Sequence, residues 1–172
     1  NIFKIVFMAR ITRMKGIDVV FKLAERIERQ KLLSPPIIID FYGPIAKGEE
    51  EYFTMQLKKT KVVSYKGVLE PEKIYSTLDQ YDCLVLPTRY KSEGFPGTIL
   101  DAYISGVPVI VSNYPNASEI VDAGKTGFIF EMGKEEEFFQ YVDSLYRNRE
   151  FLLQMKKNSY EKSKMYSPER TW

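Results

Sequence analysis

Apolar positions along this chain alternate between two textures. Residues 2–8 are apolar at nearly every position, as in a strand covered on both faces of a parallel sheet. Over 17–29 the apolar positions thin to Val19, Val20, Leu23 and Ile27, a helical spacing. Pro35 and Pro36 stop that segment, and Ile37, Ile38 and Ile39 begin a second strand that ends at Tyr42, Gly43 and Pro44. A polar helix over 49–59 leads to a third strand at 62–65, closed by Gly67. Pro71 opens the next helix, with Ile74, Tyr75 and Leu78 on one face, and 83–86 is a wholly apolar strand. A short helix opened by Pro96 and closed by Gly106 follows, then a buried strand at 107–111. Residues 117–121 form another short helix, and 127–130 a last strand. The remainder, 135–164, reads as two helices meeting near Asn148.

Strands alternating with helices imply right-handed crossovers, hence an α/β fold: a Rossmann-like domain over 1–172, its parallel β-sheet covered by helices on both faces. Ligands of such folds bind outside the carboxyl ends of the strands. The loop 10–15, Gly43, the segment 65–67 and the loop holding Glu93 all follow strands, so all converge on one edge.

Composition narrows the chemistry. Twenty-five basic against 23 acidic residues leave a net charge of +2, which argues against a nucleic-acid partner. One cysteine excludes an intrachain disulfide, and with no histidine present neither a zinc centre nor histidine catalysis is available. No apolar run approaches the ~20 residues of a membrane span, and no signal peptide is visible. The chain begins at Asn1 and runs straight into a strand, so a piece of a longer, cytoplasmic protein in a reducing setting is expected.

The candidate chemistry gathers after the strand at 83–86. A strand, a loop and the helix start at Pro96 make an anion site, because free amides and the helix dipole favour negative charge there. Glu93 and Asp101 flank that start; ionised carboxylates only accept hydrogen bonds, so they fit hydroxyl partners better than phosphate. Phosphate beside hydroxyls points to a sugar nucleotide. Arg10 offers a planar fork to phosphate and Lys15 a mobile point charge, or both are solvated loop cations, as Arg13 is expected to be. Glu93 alone could be a surface acid at a helix start, and Asp101 a polar helix residue. The aromatics Phe138, Phe139, Tyr141, Tyr146 and Phe151 read as core or domain contacts. The lysines over 156–164 read as a solvated helix face, with membrane-surface contact as the alternative.

The run E-G-F-P followed by I-L-D-A-Y-I-S-G-V-P-V-I resembles the signature of group 1 (family 4-like) nucleotide-sugar-dependent glycosyltransferases of GT-B architecture. Their motif is a glutamate, seven residues and a second glutamate; here the second acid is Asp101. The resemblance implies the C-terminal, donor-binding half of such an enzyme, with its N-terminal acceptor domain absent from this chain. It implies that Arg10 and Lys15 grip the donor diphosphate, although Ala9 stands where the family has glycine. It implies that Glu93 bonds the donor sugar and Asp101 the ribose, that Gly94, Phe95, Pro96, Gly97 and Thr98 belong to the donor site, and that the amides of Phe95, Gly97 and Thr98 hold phosphate, Pro96 having none to offer. Tyr65 and Gly43 resemble positions bordering the nucleotide, with an edge aromatic and a turn as the local alternatives. Glu119, Gly124 and Gly127 resemble a packing segment, and the tail through Trp172 resembles the stretch that turns back toward the first domain. The implied reaction transfers a hexosyl unit from a UDP- or GDP-sugar to a polysaccharide, lipopolysaccharide or glycolipid acceptor. Configuration is retained and no metal or cofactor is used, in keeping with the lack of an Asp-x-Asp triplet. The full enzyme could lie at the inner membrane face, and the isolated half is expected to be inactive. The rival readings are a sugar-nucleotide epimerase of the same architecture and a non-catalytic nucleotide-binding module.

Overall fold

A computed structural model describes residues 1–30, 34–93 and 96–166. Its strands are β1 (Phe3–Met8), β2 (Ile37–Tyr42), β3 (Val63–Tyr65), β4 (Cys83–Leu86), β5 (Val109–Ser112) and β6 (Gly127–Phe130). All pair in parallel, in the order β3-β2-β1-β4-β5-β6. The intervening helices are α1 (Ile17–Arg29), α2 (Glu50–Lys58), α3 (Ile74–Leu78), α4 (Gly97–Ile104), α5 (Ala117–Ile120), α6 (Glu135–Arg147) and α7 (Arg149–Ser163).

The continuous apolar runs have the expected fate: every residue of β4 and β5 is buried. Helices cover both faces. On one, α1 meets α2 through Phe21 and Phe53, ring centroids 5.8 Å apart, and α6 through the pairs Lys22–Glu135 and Arg26–Glu136. On the other, α4 packs against α3 and α7. Asn148 separates the last two helices as the N-cap of α7, its side chain accepting from Phe151 N at 3.0 Å. The late aromatics are packing residues: Phe138 stacks on Phe130 at 5.0 Å and Tyr141 on Phe128 at 4.3 Å.

Several expectations need correction. The strand expected at 107–111 starts at Val109, because Val107 N is taken by Ala102 O of α4 and Pro108 has no N–H to give. Tyr75 does not join Leu78 in the core; it is 47% exposed and turns its hydroxyl toward Asp101 of α4. The lysines of α7 are not a uniformly solvated face. Lys156 donates to Tyr81 O at 2.7 Å, and burial pulls its pKa down; Lys162, with 11% of its side chain exposed, pairs with Asp122. The tail beyond Tyr166 lies outside the described residues.

Candidate functional site

The order in which strands are added reverses at β1, which pairs with β2 on one side and β4 on the other. The loops leaving β1 and β4 border a cavity of about 550 Å³ lined by Arg10, Lys15, Tyr90, Glu93, Gly97 and Thr98 among others. Two predicted anion grips, the sugar-binding carboxylate and the helix start thus meet in one place. Gly94 and Phe95, between them in sequence, lie outside the described residues.

The β1 loop is held from below. Ala9 N donates to Tyr42 O at 3.1 Å and Ile11 N to Pro44 O at 2.8 Å, which leaves Arg10 exposed between them at the cavity. Among the described residues the Arg10 side chain makes no ion pair or hydrogen bond. A 3₁₀ turn, Arg13–Lys15, follows and ends on Gly16 at φ +87°. A Cβ on Gly16 would lie 1.9 Å from Pro87 O, so only glycine lets the β1 and β4 loops touch. Arg13, expected as a free cation, is instead paired with Glu49, its Nη2 2.7 Å from Oε2. That pair holds the Glu49 carboxyl below its usual range. Arg89 makes the second clasp: its guanidinium donates to both oxygens of Asp18 at 2.7 and 2.8 Å and to Arg13 O at 2.6 Å.

Lys15 and Glu93 form an ion pair inside the cavity, with 20% and 6% of their side chains exposed. Lys15 Nζ also sits 5.2 Å from the Tyr90 ring centre. The other oxygen of Glu93 accepts from Thr88 Oγ1 at 2.7 Å. Pro96, at φ −66° and ψ 122°, is the N-cap of α4 rather than its first helical residue. The amides of Gly97 and Thr98 then open the helix without intrahelical partners. Thr98 Oγ1 is buried and, among the described residues, unpartnered.

Among the described residues, three predicted site residues do not line this cavity. Asp101 is one turn into α4, half-buried, where burial pushes its carboxyl up against a partly offsetting bond from Tyr75. Gly43, at φ +141°, serves a close crossing, since a Cβ there would be 1.9 Å from Ala9 O. Tyr65 donates to Gly43 O at 2.6 Å and packs edge-on against Phe53. Thr88, Glu49, Arg89 and Asp18 were not singled out by the sequence. Their partners are 5, 36 and 71 residues away, and no local periodicity marks them. Among the described residues no cluster of three or more metal-ligating side chains occurs, and no helix is long and apolar enough to cross a membrane.

A family model described as "Glycosyl transferases group 1" matches residues 2–162. The capsular polysaccharide biosynthesis glycosyltransferase CapM of Staphylococcus aureus is 27% identical over 143 residues, covering 83% of this chain and 36% of that protein. The chain thus spans about a third of the length of the curated relatives it matches. Among solved structures, Anabaena HepE in complex with UDP and glucose has a TM-score of 0.82 at 18% identity, over 96% of this chain and 44% of that one. The C-terminal domain of the group 1 glycosyl transferase LpcC from Francisella tularensis has a TM-score of 0.81 at 19% identity, over 99% and 87%. These two likenesses concern the fold, and the family match concerns the sequence. This chain belongs to the group 1 glycosyltransferases and has the Rossmann-like fold of a GT-B C-terminal domain.

Proposed function

We propose that this chain binds a nucleoside diphosphate sugar and that, joined to an acceptor domain, it transfers a hexosyl unit to a polysaccharide, lipopolysaccharide or glycolipid acceptor at the inner face of the membrane. The observation that carries this reading is the convergence of Arg10, Lys15, Glu93 and the α4 start on one cavity. The diphosphate lies against Arg10, Lys15 and the amides of Gly97 and Thr98. Charge developing on it as the sugar leaves is then stabilised by cations and dipoles already in position. The donor is a UDP- or GDP-sugar, UDP being the nucleotide bound by HepE. Glu93 accepts from sugar hydroxyls and fixes the ring for attack. Gly94 and Phe95 complete the phosphate cradle, Asp101 reaches the ribose, and Tyr65 and Gly43 border the base. Transfer proceeds with retention and without metal or cofactor. Neither the family model nor the relatives named above lend support to the epimerase reading.

Calorimetric titration with UDP, GDP and ADP, with no metal added, tests the reading on this chain. One nucleotide binds selectively, and Arg10→Ala weakens it by about 1–3 kcal/mol, the range for losing a charge-assisted contact. Equal affinity of parent and Arg10→Ala for all three would remove the donor site from this cavity. Retention is checked separately, from the anomeric configuration of the product of the full-length enzyme.

A further inference from the structure

We propose that Thr88 is a positioning residue that keeps Glu93 aimed into the cavity when Lys15 leaves it for the donor diphosphate. The proposal rests on the donor-binding reading above. Each oxygen of Glu93 has its own partner, Lys15 on Oε1 and Thr88 on Oε2. A diphosphate that draws Lys15 away removes the first anchor. The second is then what keeps a carboxylate on a flexible three-torsion side chain from turning out of reach of the sugar.

The surroundings of Thr88 suit that task. It is 2% exposed, and as a β-branched residue its χ1 is restricted. Its hydroxyl oxygen accepts from Tyr90 N at 3.0 Å, so its single hydrogen is free for the 2.7 Å bond to Glu93. Its carbonyl accepts from Ser112 Oγ at 2.5 Å, which ties it to the end of β5. The sequence of supports runs from sheet to Thr88 to Glu93, with the charged acceptor making the last bond a strong one. Nucleotide without sugar makes no demand on Glu93, whereas sugar nucleotide does.

The test compares UDP with UDP-glucose on the parent chain, Thr88→Val, Thr88→Ser and Glu93→Gln, with thermal melting of each. UDP-glucose should bind the parent more tightly than UDP. Thr88→Val should lose about tenfold of that advantage while UDP affinity stays within about twofold, the order expected for one hydrogen bond to a charged acceptor. Thr88→Ser, which keeps the hydroxyl, should restore it. If Glu93→Gln loses the advantage and Thr88→Val keeps it, Glu93 stands and the role of Thr88 is overturned. If Thr88→Val weakens UDP and UDP-glucose equally, the residue only holds the loop, and the proposal is again overturned. If the parent shows no advantage for UDP-glucose, the assignment of Glu93 to the sugar fails and this proposal fails with it.

Discussion

Asp101 carries a charge into a half-buried position on α4, and burial pushes its carboxyl up from the ordinary aspartate range despite the Tyr75 hydroxyl. An acid whose folded pKa is raised favours folding most when protonated. Its contribution is therefore full below the unfolded pKa of about 3.9 and is lost as pH rises through the folded value. Asp101→Asn removes that loss. Its melting temperature at pH 7 should equal or exceed the parent's, with the gap closing below about pH 4. A variant that melts lower than the parent at pH 7 would mean the charged carboxylate is compensated after all. The same substitution bears on the ribose contact proposed for this residue, so nucleotide affinity is read alongside.

At the scale of elements, the site exists because two loops are pressed together. Gly16 against Pro87, Arg89 across Asp18 and Arg13 O, and Arg13 on Glu49 fix the β1 loop to the β4 loop and to the segment before α2. Gly16→Ala adds an L side chain at φ +87° and drives its Cβ into Pro87 O. The left-handed backbone alone costs roughly 1–2 kcal/mol, so urea unfolding should show a loss of more than about 2 kcal/mol. A loss below about 1 kcal/mol would mean the loops can part without harm to the fold. This is also where the sequence falls silent. Residues 17–29 and 83–86 announce a helix and a strand because periodicity is local, and Arg10, Lys15 and Glu93 stand out through motif spacing. The clasp Arg89–Asp18 joins residues 71 apart, and Thr88 beside a proline reads as an ordinary turn residue. The exposure of Tyr75 is likewise a tertiary outcome, set by where α4 lies against α3.

For the whole molecule, the two edges of the sheet differ in kind. At the amino-terminal edge Asp82 accepts from Lys4 N at 2.8 Å and Lys156 caps Tyr81 O, a tight set of bonds between strand starts and α7. At the carboxyl-terminal edge the loops enclose space. Hydrogen exchange should follow that division. Saturating UDP should slow exchange at the amides of Lys15, Gly97 and Thr98 more than at those of Lys4 and Asp82. Equal slowing at both edges would mean that the nucleotide stabilises the fold without covering the loops after β1 and β4. The Lys15–Glu93 pair has one more effect at this scale. Glu93 is tethered beside Lys15 and so competes for it at a high local concentration. A free phosphate ion must displace that carboxylate and brings nothing for it to bind. A ligand carrying both an anion and hydroxyls satisfies the two partners it separates. The Lys15–Glu93 pair thus favours a ligand that carries an anion and hydroxyls together over a small free anion.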